Sequence, residues 1–163
     1  MTLDAPIRRP SARVLVINAD NELLLFHATD SPADVPDFWF TPGGALEQDE
    51  TYEDAAYREM GEEIGAVNLE LGPIVWTRTT TFGWDGLRYE AAEQYFIVRV
   101  DRLGRISPEF ASDIEASAIA LHRWWTAAEI LAATDQTFFP PGLGDLLEAL
   151  LVALPDPPIN LDL

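Results

Sequence analysis

"GALEQDETYEDAAYREMGEEIGA", Gly44 to Ala66, brings Glu59, Glu62 and Glu63 within five positions of one another. Thr51 followed by Asp54 has the form of a capping box, and Ala55, Ala56, Met60 and Ile64 then recur at helical spacing. The pattern predicts a helix from Thr51 that ends at Gly65, where a C-terminal glycine commonly stands. Gly61 inside it costs about 1 kcal/mol relative to alanine. On such a helix Glu59 and Glu63 lie about 40° apart, with Glu62 on the neighbouring flank. Like charges at this spacing repel, so the cluster needs a reason. The apolar stripe sets the carboxylates at the border of core and solvent. Oxygen ligands grouped there suit a hard cation such as Mg²⁺, which keeps waters that substrate phosphates can replace. A solvated acidic face is the alternative reading of the same residues.

The flanks favour the metal. "PGG", Pro42 to Gly44, reads as a tight turn whose bare carbonyls can approach a cation. Arg58 offers a planar, bidentate partner for a carboxylate such as Glu50. The whole stretch resembles the signature of the Nudix hydrolases, which cleave nucleoside diphosphates linked to another moiety. Gly44, Glu50, Arg58, Glu59, Glu62, Glu63 and Gly65 match that signature at every charged or glycine position. Met60 and Ala66 fill its aliphatic places, and Asp49 stands where a glycine is frequent.

The resemblance implies an α/β chain: a Nudix-type α/β/α sandwich with a mixed β-sheet, in one domain over residues 1–163 with a Pro-rich tail from about residue 155. It implies that Glu59, Glu62 and Glu63, with a carbonyl of the turn (that of Gly43), coordinate Mg²⁺ or Mn²⁺. Arg58 paired with Glu50 would be structural, as would Gly44 and Gly65. Water would attack a phosphorus of a pyrophosphate link in a nucleotide-sugar, a dinucleoside polyphosphate or a nucleoside triphosphate. A nucleotide-binding regulatory domain of the same family, without catalysis, is the alternative.

The proton acceptor has three sources. One is Glu59. Another is Glu93, set in the apolar strand "AAEQYF", where an unpaired charge would be costly; a solvent-facing glutamate at a strand edge is the other reading of it. The third is the acidic segment holding Glu109, Asp113 and Glu115. Trp84, near a predicted hairpin tip, is a candidate to stack on a base. His27 and His122 stand alone on apolar strands and are not expected to be ligands.

"ARVLVINADNELLLFHA" reads as two strands joined by a polar turn, and "TDSPADVPDFW" and "FTPGGALEQDE" read as loops. "PIVWTRTTTF" and "RYEAAEQYFIVRV" predict a hairpin around "GWDG", and "LHRWW" one more strand. Thr126 with Glu129 opens a short helix, and a last helix is expected over Leu143 to Leu154.

Of the 163 residues 28 are acidic and 10 basic, a formal charge of −18. Nucleic acid, anionic membrane and other polyanions are repelled by such a surface, so the expected partner is a small nucleotide whose phosphates a cation neutralises. A homodimer is compatible with this reading. Without cysteine there is no disulfide or thiolate chemistry. The N-terminal residues show no signal-peptide core, and the reading is of a cytoplasmic protein.

Overall fold

In a computed structural model the described residues are 4–28, 36–64, 69–84, 86–100 and 119–162. The strands are β1 (Ile7–Ile17), β2 (Leu23–Ala28), β3 (Phe38–Phe40), β4 (Gly43–Ala45), β5 (Ile74–Trp84), β6 (Leu87–Arg99), β7 (Ile119–Trp125) and β8 (Ile159–Asn160). The helices are α1 (Tyr52–Ile64), α2 (Ala127–Ala132) and α3 (Leu143–Val152). Among these residues all the strands join one mixed sheet, in the order β3-β2-β1-β6-β5-β8, with β4 on β1 and β7 on β2.

Alternation along β1 and β6 divides the core in two. Ala12, Val14, Val16, Phe96 and Val98 meet Ala55, Ala56 and Met60 of α1 on one face. Leu15, Ile17, Tyr95 and Ile97 meet Ile130 of α2 and Leu143, Leu147 and Leu150 of α3 on the other. The expected α/β/α sandwich is therefore the fold. No helix among the described residues is long and apolar enough to cross a membrane.

Several local signals act as written in the chain. Thr51 and Asp54 exchange backbone-to-side-chain hydrogen bonds of 3.1 Å in both directions and open α1. Thr126 and Glu129 form the second capping box. Asn18 and Glu22 close the turn after β1, and the β5–β6 hairpin pairs from Ile74 to its tip at Trp84 and Leu87.

"FTPGGALEQDE" is not wholly loop: Phe40 ends β3, and Gly43–Ala45 pairs antiparallel with Arg13, Ala12 and Ser11. β1 starts at Ile7 instead of near Ala12 and runs parallel to β6 over its full length, while its ladder with β2 is confined to Ile17 and Leu23. The Pro-rich tail carries a strand, with Ile159 and Asn160 beside Trp76 and Thr77 of β5. The last helix stops at Val152. Gly65 and the segment with Glu109, Asp113 and Glu115 lie outside the described residues, as do the side chains of Glu63 and Trp84.

Candidate active site

β4 places two glycines where side chains have no room. Gly43 has φ +142°, and a Cβ there would strike the Ala12 carbonyl oxygen and come within 2.9 Å of Arg13 Cα. A Cβ on Gly44 would fall on the Glu59 carboxyl group, 2.9 Å from its Cδ. The missing side chain of Gly44 is thus the seat of the Glu59 carboxylate, which is 3 % exposed. Asp49, with φ +66°, occupies a left-handed position in the turn between β4 and α1. Aspartate tolerates that conformation better than most residues, and glycine suits it best.

Arg58 ties this turn to the helix. Its Nε and Nη2 donate to the two oxygens of Glu50 at 2.8 and 3.0 Å, and Nη2 also donates to the Ala45 carbonyl at 3.0 Å. Nη1 donates to Glu59 Oε1 at 3.0 Å and Glu62 Oε2 at 3.2 Å, with Glu47 3.7 Å away. Four carboxylates thus share one guanidinium. The hydrogen bond from Arg58, then that from the Glu47 amide, holds the Glu50 carboxyl below its usual range, and the same Glu50 contact raises Arg58 above its own.

Glu50 therefore stabilises the fold above the ordinary glutamate pKa of about 4.3. That contribution fades as pH falls through its lowered folded value. Glu50→Gln should flatten the acid limb of a stability-versus-pH curve, as read by chemical denaturation between pH 3 and pH 6. An acid limb identical to the wild type would contradict the pairing.

The oxygen-rich donor set and the glycine cradle fit a hard cation. Glu59, Glu62 and a β4 carbonyl are within the same corner, and Glu63 follows Glu62 on α1. Among the described residues, which do not include the Glu63 side chain, no three acidic or histidine side chains are grouped closely enough to hold a metal.

Glu93 is placed elsewhere, on the α2–α3 face of the sheet beside Tyr95. It is neither solvent-facing nor unpaired: buried, it accepts from Arg13 Nε (3.2 Å), Arg78 Nη1 (3.4 Å) and the Tyr95 hydroxyl (3.0 Å). Burial, then the Glu93 charge, pushes the Tyr95 phenol upward. Arg13 and Arg78 were not anticipated, because their partner lies 80 and 15 residues away and no local pattern announces it. Trp84 ends β5, six residues beyond Arg78, or about 20 Å along an extended strand. His27 stacks on Trp39 at 4.4 Å between ring centroids.

Comparison with known proteins places this arrangement. The chain is 41 % identical over 63 residues to the RNA pyrophosphohydrolase of Gluconobacter oxydans (strain 621H), covering 39 % of this chain and 35 % of that one. It is 33 % identical over 107 residues to Nudix hydrolase 25 of Arabidopsis thaliana, 58 % of each. It therefore spans 35 % and 58 % of the lengths of these two relatives. The crystal structure of a MutT protein from Methanosarcina mazei Go1 shares the fold, with a TM-score of 0.64 and 20 % identity over 93 % of this chain and 97 % of that one. The family model described as NUDIX domain matches residues 7–145, and with Glu59 seated against Gly44 inside that span, the chain belongs to the NUDIX family.

Proposed function

We propose that this chain hydrolyses the pyrophosphate link of a nucleoside diphosphate derivative with the aid of Mg²⁺ or Mn²⁺. The observation that carries the reading is the Glu59 carboxylate, buried in the space left by Gly44 and sharing Arg58 with Glu50 and Glu62. Glu59, Glu62 and Glu63, with the Gly43 carbonyl, would hold the ion. Bound there, it would neutralise phosphate oxygens and lower the pKa of the attacking water.

The remaining residues orient. Arg58 bonds Glu50 and the Ala45 carbonyl at once, which ties β4, the turn and α1 together. Glu59 is the proposed proton acceptor. Glu93 is the weaker choice, since both its oxygens already accept hydrogen bonds and three donors hold its charge in place. Gly44 gives the Glu59 carboxylate its seat; Gly65 is proposed to be structural, and Trp84 to offer its indole face to a base.

The substrate proposed first is a small nucleotide, a nucleotide-sugar, a dinucleoside polyphosphate or a nucleoside triphosphate, because a charge of −18 repels a long polyanion. A second reading, the 5′ end of an RNA, is favoured by the name of the Gluconobacter relative. A regulatory domain without catalysis is disfavoured by the intact set of glutamates. A screen of these nucleotides beside a 5′-triphosphorylated oligonucleotide, with Mg²⁺ or Mn²⁺ and the products identified, tests the proposal. Release of a mononucleotide from one small substrate supports it. Turnover of the oligonucleotide alone would move the reading to RNA, and no turnover of any would leave the regulatory one.

A further inference from the structure

The outer edge of β5 is covered over only part of its length. Leu161 donates its N–H to the Thr77 carbonyl at 2.8 Å, and the Thr79 N–H donates to Asp162 Oδ1 at 2.6 Å. The backbone groups of Thr77 and Thr79 therefore face away from β6, and alternation turns those of Thr81 and Gly83 the same way. Both of these are exposed, and among the described residues no strand pairs with that side of β5 beyond Thr77. The stretch "TTTFG", Thr79 to Gly83, carries neither a charge nor a proline, the usual guards of a free edge.

A second copy fits this edge. With the strands antiparallel about a two-fold axis at Phe82, Thr81 of each copy faces Gly83 of the other, so one patch completes itself. Phe82 then meets its own counterpart in the closer, non-hydrogen-bonded kind of pair, because its N–H and C=O turn to β6. It already stacks on Tyr89 across the hairpin, with ring centroids 5.4 Å apart and planes at 20°. The axis doubles that pair into a row of four rings. At Gly83 the place of a side chain is open, its nearest neighbour among the described residues being the Leu87 carbonyl oxygen at 3.8 Å.

Charge agrees with the same register. On β6, Glu90 lies opposite Thr81 and Arg88 opposite Gly83, and alternation puts all four on the α1 face. The axis sets Glu90, Thr81, the partner's Gly83 and the partner's Arg88 in one row. Strands about 4.8 Å apart make that row about 14 Å between its end Cα atoms. Two long side chains shorten the gap over two small residues, and opposite charges result on both sides of the axis. Among the described residues neither Arg88 nor Glu90 has an ion-pair partner in its own chain. A formal charge of −18 on each copy opposes association. Arg8, Arg9 and Arg88, exposed at the starts of β1 and β6, offset it locally, and charges beyond about 8 Å are screened at physiological salt.

We propose that two copies of this chain join antiparallel through Thr81–Gly83 of β5, which extends one sheet across both. The pairing does not depend on which reaction the chain performs.

Sedimentation equilibrium of the intact chain over a range of micromolar concentrations tests it, with an expected mass of twice 18.1 kDa. Thr81→Pro removes an outward N–H and leaves the ladder to β6 in place, since an edge position tolerates proline. It should raise the dissociation constant of the dimer at least tenfold. Arg88→Glu should weaken the dimer as well, and Arg88→Glu with Glu90→Arg should restore it. The chain has no cysteine, so Phe82→Cys reads the register alone. Its two copies would stand about 4.5 Å apart at Cα, within the span of a disulfide, and should cross-link under mild oxidant. Thr80→Cys, two residues from the axis, should not. A monomeric wild type overturns the proposal and leaves the edge to a foreign strand or to water. A dimer that persists undiminished in a folded Thr81→Pro, or that cross-links equally at both cysteine positions, places the contact elsewhere and overturns it too. If Thr81→Pro does not fold, the charge reversal and the cysteine pair decide, and failure of both to behave as stated overturns it.

Discussion

Glu59→Gln should cut turnover by about 10²–10⁴-fold, the range for loss of a positioned acid–base group, while the fold stays in place. Glutamine keeps the size that fills the space beside Gly44, so the packing between α1 and β4 survives. What is lost is one negative charge and the ability to take a proton. The change also relieves repulsion with Glu62, which offsets part of the weakened contact to Arg58 Nη1. Initial rates in Mg²⁺ and a melting curve measured together check this. Glu53→Gln, an exposed change on the same helix, should leave the rate near wild type. Wild-type turnover by Glu59→Gln would remove it from the site.

Arg58→Ala carries the largest expected loss of stability. Removing one partner of a buried pair costs about 3–5 kcal/mol, and a side chain 21 % exposed belongs at the low end. A loss of about 3 kcal/mol lowers the melting temperature by roughly 6–12 °C in a chain of this size. The reason is specific: Glu47, Glu50, Glu59 and Glu62 would face one another without their shared cation. Added Mg²⁺ should therefore recover part of the loss, and should do so more in the variant than in the wild type. Thermal melts with and without Mg²⁺ read both effects. An unchanged melting temperature with a large fall in rate would instead place Arg58 at the substrate phosphates.

What could be read from the chain was what short spacings encode. Thr51 with Asp54 and Thr126 with Glu129 are three residues apart, and both boxes form. The stripe of Ala55, Ala56 and Met60 is buried, and the β5–β6 hairpin needs only a turn between two β-rich runs. Glu50, Glu59, Glu62 and Arg58 fall within one helix and its preceding turn, so their company could also be anticipated. Strand β4 could not, because two glycines after a proline read as a breaker. They pair because the Ala12 backbone and the Glu59 carboxyl occupy the space of their side chains, a fact of tertiary packing. The parallel ladder of β1 with β6 and the Arg13–Glu93–Arg78 cluster join segments up to 80 residues apart, and no local pattern links them. Proline discouraged a strand in the tail, yet the short β8 follows the prolines and adds to the free edge of β5.

The carboxylates beside Gly44 are proposed to work by holding a metal ion. The most direct measurement strips the protein with excess chelator and follows hydrolysis of its best nucleotide substrate while Mg²⁺ is titrated back, for wild type and Glu62→Gln. Turnover should be absent in chelator and return saturably with Mg²⁺, with Glu62→Gln needing more of the ion to reach its half-maximal rate. Full turnover in excess chelator, or one Mg²⁺ curve for both proteins, would contradict that role.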